Sequence, residues 1–163
     1  MYKKILVPTD GSELSEHATA AAIDFARVSG AEIVALSVAE PYPLVAAEGA
    51  MAIDLGIEAD QRQQLAQQAV NKVTQAAQAA GVACRTFTAY SAIPHEEIIK
   101  VANENNCDLI FMASHGRHGL SRLLAGSVTQ NVLAYSAIPV MVLRPPAAPH
   151  KMGVAGGTQA AAT

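Results

Sequence analysis

Between Met112 and Ser127 the chain reads MASHGRHGLSRLLAGS, with glycines at 116, 119 and 126, arginines at 117 and 122, histidines at 115 and 118, and no carboxylate. Glycine lets the backbone approach a ligand closely and take positive φ. Guanidinium groups neutralise phosphate charge, and hydroxyls donate to phosphate oxygens. A stretch of this make-up suits an anion. It is neither of two common phosphate-binding signatures, having no Gly-Lys-Ser/Thr ending and no Gly-x-Gly-x-x-Gly. Gly126-Ser127 comes directly before a run that reads as a helix. Free backbone amides and the helix dipole favour phosphate there. Ser127 and Thr129 add hydroxyl donors, and Arg117 and Arg122 could supply the charge.

Other chemistry has less support. His115 and His118 are three apart, but a metal site usually needs three or four ligands, and no third lies close in sequence. Ser114 and His115 are adjacent, and adjacent residues rarely form a nucleophile–base pair. No Gly-x-Ser-x-Gly elbow is present. Cys84 and Cys107 lack metal-ligand spacing and read as buried or half-buried free thiols. His17 and His95 stand near helix starts and read as surface residues.

The elements that must position these residues follow from periodicity. Lys3 to Val7 is an apolar run ending at Pro8-Thr9-Asp10, and predicts a buried strand. Ser12 is a good N-cap for the helix that follows, with Glu13 and Glu16 at the positive end of its dipole. Leu14, Ala18, Ala21, Ala22, Phe25 and Val28 predict its inner face. AEIVALSV predicts a second buried strand. Glu40 to Ile57 holds Pro41, Pro43, Gly49 and Gly56 and reads as a long loop, with a short helix around Val45 to Met51. Glu58 to Ala80 predicts a helix whose inner stripe is Leu65, Ala69, Val73, Ala76 and Ala80. VACRTFTAY alternates as an edge strand does. Pro94 opens a helix to about Asn105, with Ile98, Ile99 and Ala102 inward. CDLIFMAS predicts a fourth strand, Ser127 to Tyr135 a helix, and IPVMVLR a fifth strand.

Apolar strands alternating with amphipathic helices predict an α/β protein with a doubly wound, Rossmann-like parallel sheet. Such sheets bind ligands past the carboxyl ends of their strands, where strand order reverses. Pro8-Thr9-Asp10 and Met112-Ala113-Ser114 would meet at that point. Asp10 could accept hydrogen bonds from a base or ribose, or could be a plain turn or cap residue. It is also the only nearby carboxylate that could hold Mg²⁺.

The span from about Tyr2 to Arg144 resembles the universal stress protein family. YKKILVPTDGS is similar to the family's opening strand, and MASHGRHGLSRLLAGSVTQNVL followed by IPVMVLR to its signature. ATP-binding members carry Gly-x2-Gly-x9-Gly-Ser/Thr there. This chain has Ala113 in place of the first glycine, then Gly116, nine residues, and Gly126-Ser127. The resemblance implies a five-stranded parallel sheet of order 3-2-1-4-5, of the adenine nucleotide alpha hydrolase-like type. It places Pro8, Thr9 and Asp10 against adenine and ribose, the Val38 backbone at the adenine edge, and Met112 nearby. Gly116, Gly126, Ser127, Val128 and Thr129 would hold the phosphates, flanked by His115 and Arg117. Family members commonly dimerise through the last strand, here Ile138 to Leu143. If the position of Ala113 requires positive φ, alanine would cost about 1 kcal/mol there. If it requires only a small side chain, a methyl would be tolerated.

Bulk composition narrows the classes. The chain's 163 residues suit one domain, expected over 1–145, with a disordered Ala/Gly/Thr-rich tail over 146–163. No apolar run reaches the roughly 18 residues of a membrane span, and the N-terminus reads as a strand rather than a signal peptide. A cytoplasmic protein is expected. Every Asp and Glu lies at or before Asp108, while Arg117, Arg122, Arg144 and Lys151 follow it. The acidic first part argues against duplex nucleic acid, and the basic last third is compatible with a small anion. The expected function is binding of ATP or another adenine nucleotide by a homodimeric sensor that signals through an unknown protein partner. Two alternatives remain: a nucleotide-free interaction module of the same fold, and a weak ATPase.

Overall fold

The computed structural model describes residues 1–41, 55–115 and 126–144. Five strands alternate with four helices among them: β1 Lys4–Pro8, α1 Glu13–Ser29, β2 Glu32–Ala39, α2 Leu55–Ala79, β3 Cys84–Tyr90, α3 Pro94–Glu104, β4 Leu109–Ala113, α4 Ser127–Tyr135 and β5 Val140–Leu143. The sheet is parallel throughout, in the order β3-β2-β1-β4-β5. The chain winds outward from β1 in both directions, so its strand order reverses between β1 and β4.

Both faces are covered, which is why the inner strands read as continuous apolar runs. Ile5, Val7, Ile33, Leu109, Phe111 and Ala113 face α1 and α2. Leu6, Val34, Leu36, Ile110 and Met112 face α3 and α4. Successive strand residues alternate between the two cores, as the period of two requires. Fully burying one such Leu or Ile side chain is worth about 1.5–3 kcal/mol.

The helix ends follow their sequence signals. The Ser12 hydroxyl accepts the Ser15 amide and caps α1, whose other end closes at Gly30 with φ 71°. That left-handed conformation favours glycine. Pro94 stands in the first turn of α3, where no intrahelical amide is needed.

Two expected helix faces hold in part. In α1 the buried apolar residues are Ala18, Ala22, Ile23 and Ala26, while Val28 is 78% exposed. In α2 they are Ala66, Ala69, Val70, Val73 and Ala77, and Leu65 is 47% exposed. Leu14, Ala21, Phe25 and Ala80 pack against the core as expected, and alanine-rich helices carry so little contrast between neighbouring stripes that Val28 and Leu65 were assigned to the wrong side. Helix α2 also begins at Leu55, inside the expected loop from Glu40 to Ile57. The rest of that loop, the helix expected around Val45 to Met51, and the tail expected over 146–163 lie outside the described residues.

Candidate functional site

At the switch point the two central strands part. β1 pairs with β4 at Ile5–Leu109 and Leu6–Ile110. It stays paired with β2 through Pro8–Leu36, and the Thr9 amide continues that ladder to the Leu36 carbonyl at 2.8 Å. Proline has no amide to pass to a neighbour, so Pro8 is well placed where β1 ends. The carboxyl ends of β1 and β4 therefore flank the crevice that the topology predicts.

The β1 side is a closed hydrogen-bonded turn. The Asp10 Oδ1 accepts the Ser12 amide at 3.0 Å and the Ser12 hydroxyl at 2.6 Å. The turn-and-cap role of Asp10 is thus present, and it fixes the carboxylate beside the strand end. The Thr9 hydroxyl accepts the Gly11 amide at 3.2 Å and lies 3.1 Å from the Ser15 hydroxyl. That side chain is buried toward α1. Val38 is half-buried and packs on the α3/α4 side of the sheet.

The β4 side joins strand, helix and edge strand. The Gly126 amide donates to the Ser114 carbonyl at 2.7 Å, and the Ser114 amide donates to the Leu143 carbonyl at 2.8 Å. The Thr129 hydroxyl donates to the Ala113 carbonyl at 3.0 Å. The bonds from Gly126 and Thr129 hold the first turn of α4 against the end of β4, while that from Ser114 joins β4 to β5. Gly126 is the N-cap and makes no side-chain cap bond. The first intrahelical amide to find its carbonyl is that of Gln130, on Gly126 at 2.9 Å. Helix geometry therefore leaves the amides of Ser127, Val128 and Thr129 without intrahelical acceptors. Amides so placed at the positive end of a helix dipole attract phosphate. Because the Thr129 hydroxyl is already donating, Thr129 offers a ligand its amide.

Ala113 is settled by its conformation. Asn106 is the one non-glycine residue with positive φ among the described residues. Ala113 continues β4, paired with Leu143, and its methyl is buried among the residues facing α1 and α2. α4 packs on the opposite face. The methyl is thus neither strained nor in front of the helix terminus. Met112 is buried on the α4 side, as its alternation from Ala113 requires.

One relationship was not foreseen from spacing. The Ser114 hydroxyl lies 3.1 Å from Nδ1 of His115. Adjacent side chains usually diverge. Here β4 ends at Ala113 and the backbone turns, which brings the two together. Gly116, Arg117, His118 and Arg122 lie outside the described residues. Among the described residues no three His, Cys, Asp or Glu side chains gather to hold a metal ion. Burial pushes the Cys107 thiol up to about 11, and burial also raises that of Cys84, so both stay protonated near neutral pH.

A cavity of about 340 Å³ lies between α1 and α2, lined by Thr9, Glu16, Thr19, Lys72 and Val73 among others. It is on the sheet face away from α4.

The family model described as the universal stress protein family matches residues 1–144. The chain belongs to the universal stress protein family. Its relatives include Universal stress protein MJ0531 of Methanocaldococcus jannaschii, 35% identical over 148 residues, which covers 90% of this chain and 84% of that protein. The solved structure of MJ0577 from the same organism superposes with a TM-score of 0.71 at 34% identity, over 89% of this chain and 97% of that one. A universal stress protein in complex with cAMP superposes with a TM-score of 0.64 at 26% identity, over 88% and 97% of the two chains. The universal stress protein assignment agrees with the strand order of the sheet. No helix among the described residues is long and apolar enough to cross a membrane.

Proposed function

We propose that this chain binds an adenine nucleotide, ATP or AMP, in the crevice between the carboxyl ends of β1 and β4. It then acts as a stress-response sensor or signalling module rather than an efficient enzyme. The observation that carries this reading is the α4 terminus. It is capped by Gly126, which brings no side-chain cap bond, and is bonded to the end of β4 through Ser114 and Ala113. The family relative solved with cAMP supports the adenine class. In this reading Pro8, Thr9, Asp10 and Val38 meet adenine and ribose, with Met112 and Ala113 beneath. Ser127, Val128 and Thr129 hold phosphate through their amides, together with Gly116, His115 and Arg117.

The protein would work in the cytoplasm as a homodimer joined along β5. That strand is the sheet edge, and Met141 on it and Leu133 and Tyr135 on α4 are exposed apolar residues. Any Mg²⁺ would arrive with the nucleotide and meet Asp10.

Native mass spectrometry of purified protein is expected to show a co-purifying adenine nucleotide. Millimolar ATP or AMP is expected to raise the melting temperature. Absence of both overturns the reading and leaves the nucleotide-free interaction module. Phosphate release from ATP tests the weak ATPase, and light scattering of the purified chain tests the dimer.

A further inference from the structure

We propose that the cleft between α1 and α2 binds a small uncharged molecule with an apolar ring body and one hydrogen-bonding group. Its shape, its wall chemistry and its charge each point to that class, and none of them involves a nucleotide.

Small side chains open the cleft. Ala20 of α1 and Ala69 and Ala76 of α2 line it, and about 340 Å³ lies between the two helices. Protein interiors are close-packed, so a space of this size is not an ordinary packing void. Small-molecule sites run from roughly 300 to 1,000 Å³, and this one suits a molecule of one or two rings. Ala69 and Val73 are buried in its wall, while Ala20 and Ala76 are exposed at its rim.

One hydroxyl in the wall is open. A helical hydroxyl commonly turns back on the carbonyl one turn earlier. Ser29 does so to Phe25 at 2.8 Å, and Thr74 to Val70 at 3.2 Å. Thr19 does not. It lines the cleft, is 6% exposed, and its Oγ1 has no partner among the described residues. The Thr9 hydroxyl, also in the wall, is already engaged by the Gly11 amide and Ser15. Rotation about χ1 exchanges the hydroxyl and methyl of Thr19, so its oxygen can meet a polar group in the cleft. A hydroxyl both donates and accepts, so a ligand N–H or O–H satisfies it.

The rim carries no free charge. Lys72 Nζ of α2 meets Glu16 Oε1 of α1 at 2.7 Å, and both residues line the cleft. Each ion already has its partner. A ligand carboxylate would meet Glu16, a ligand cation would meet Lys72, and either would lose its hydration against the apolar walls.

The probe is indole. The chain has no tryptophan, so indole fluorescence is that of the probe alone. Titration of the full chain is expected to show saturable binding of one indole. Thr19→Val should weaken indole roughly threefold to tenfold, the worth of one hydrogen bond. It should leave 1-methylindole, which has no N–H, unchanged. Ala20→Leu and Ala76→Leu stand at exposed helical positions on the two walls, and each should fold and remove binding of both probes. Indole-3-acetate, with its carboxylate, should bind more weakly than indole. The proposal is overturned by a lack of saturable binding, or by binding that both leucine variants retain. It is overturned equally if Thr19→Val weakens both probes alike or neither, or if indole-3-acetate binds as tightly as indole.

Discussion

The Thr129 hydroxyl donates to the Ala113 carbonyl at 3.0 Å, which ties the first turn of α4 to the last residue of β4. Both residues are buried. Thr129→Val keeps the shape of the side chain and leaves that carbonyl short of a donor. We expect a loss of about 1–2 kcal/mol in urea denaturation. Thr129→Ser, which keeps the hydroxyl, should recover most of it. The thermal shift caused by ATP should shrink in the valine variant, because the amides of α4 are no longer held in register with β4.

Gly126 has φ −59°, which any residue can adopt. Its small size matters instead. An added Cβ would meet His115 Cα at 3.5 Å and the Ser114 carbonyl oxygen at 3.6 Å, ordinary contact distances. Gly126→Ala should therefore fold normally. Gly126→Val adds two branches, which either press on His115 or stand in front of the amides. We expect it to abolish the ATP-induced thermal shift. An undiminished shift in the valine variant would show that the phosphates lie elsewhere.

Ala113→Gly separates the two roles that the sequence left open for this position. The residue has ordinary strand conformation and its methyl is packed on the α1/α2 side. The motif glycine should accordingly bring no gain in affinity. It should cost about 1 kcal/mol of stability, through the greater freedom of glycine in the unfolded chain and the lost methyl contact. Calorimetric titration with ATP and urea denaturation of the same variant measure the two effects. A several-fold gain in affinity would sink this account.

Every element among the described residues was legible because the strands are short apolar runs bounded by strong punctuation, whereas the strand order followed from the family resemblance. Pro8, Gly30, Gly81 and Pro94 each stand at an element boundary. The helix faces were harder to read. Alanine contributes little contrast, so Val28 and Leu65 were placed inward although the cores are filled by smaller neighbours one to three residues away. At the site, the motif spacing located Gly126-Ser127, but spacing alone could not show the conformation of Ala113. Nor could it show that the Thr129 hydroxyl is engaged, or that Ser114 and His115 meet. Those are properties of backbone dihedrals at a strand end, on which residue types put only weak limits.

Thr19 offers a stabilising change. Its Oγ1 is buried and has no hydrogen-bond partner among the described residues. An unpaired buried hydroxyl costs about 1–3 kcal/mol relative to a satisfied one. Thr19→Val replaces it with a methyl of similar volume on the same β-branched frame. We expect the midpoint of urea denaturation to rise by the equivalent of about 1 kcal/mol. A lower midpoint would mean that the hydroxyl has a partner.

Asp108 gives the fold a specific acid limb. Its carboxylate accepts the Lys3 amide at 2.8 Å and the Lys4 amide at 3.0 Å, stapling the N-terminus to the turn before β4. Partial burial by itself would raise the carboxyl's pKa. The bonds from Lys4 and Lys3 outweigh it, and the group is held below its ordinary value. A carboxylate depressed in the folded state stabilises the fold above its unfolded pKa, about 3.9. That contribution is lost as pH falls through the lower, folded value. Asp108→Ala should therefore cost about 1 kcal/mol at pH 7, discounted from a buried charged bond because the contact is partly open to solvent. The deficit should narrow as pH drops below about 4 and vanish once the carboxyl is protonated in both states. Urea denaturation of both proteins from pH 7 to pH 3 measures it, and a deficit that stays constant over that range would contradict this origin.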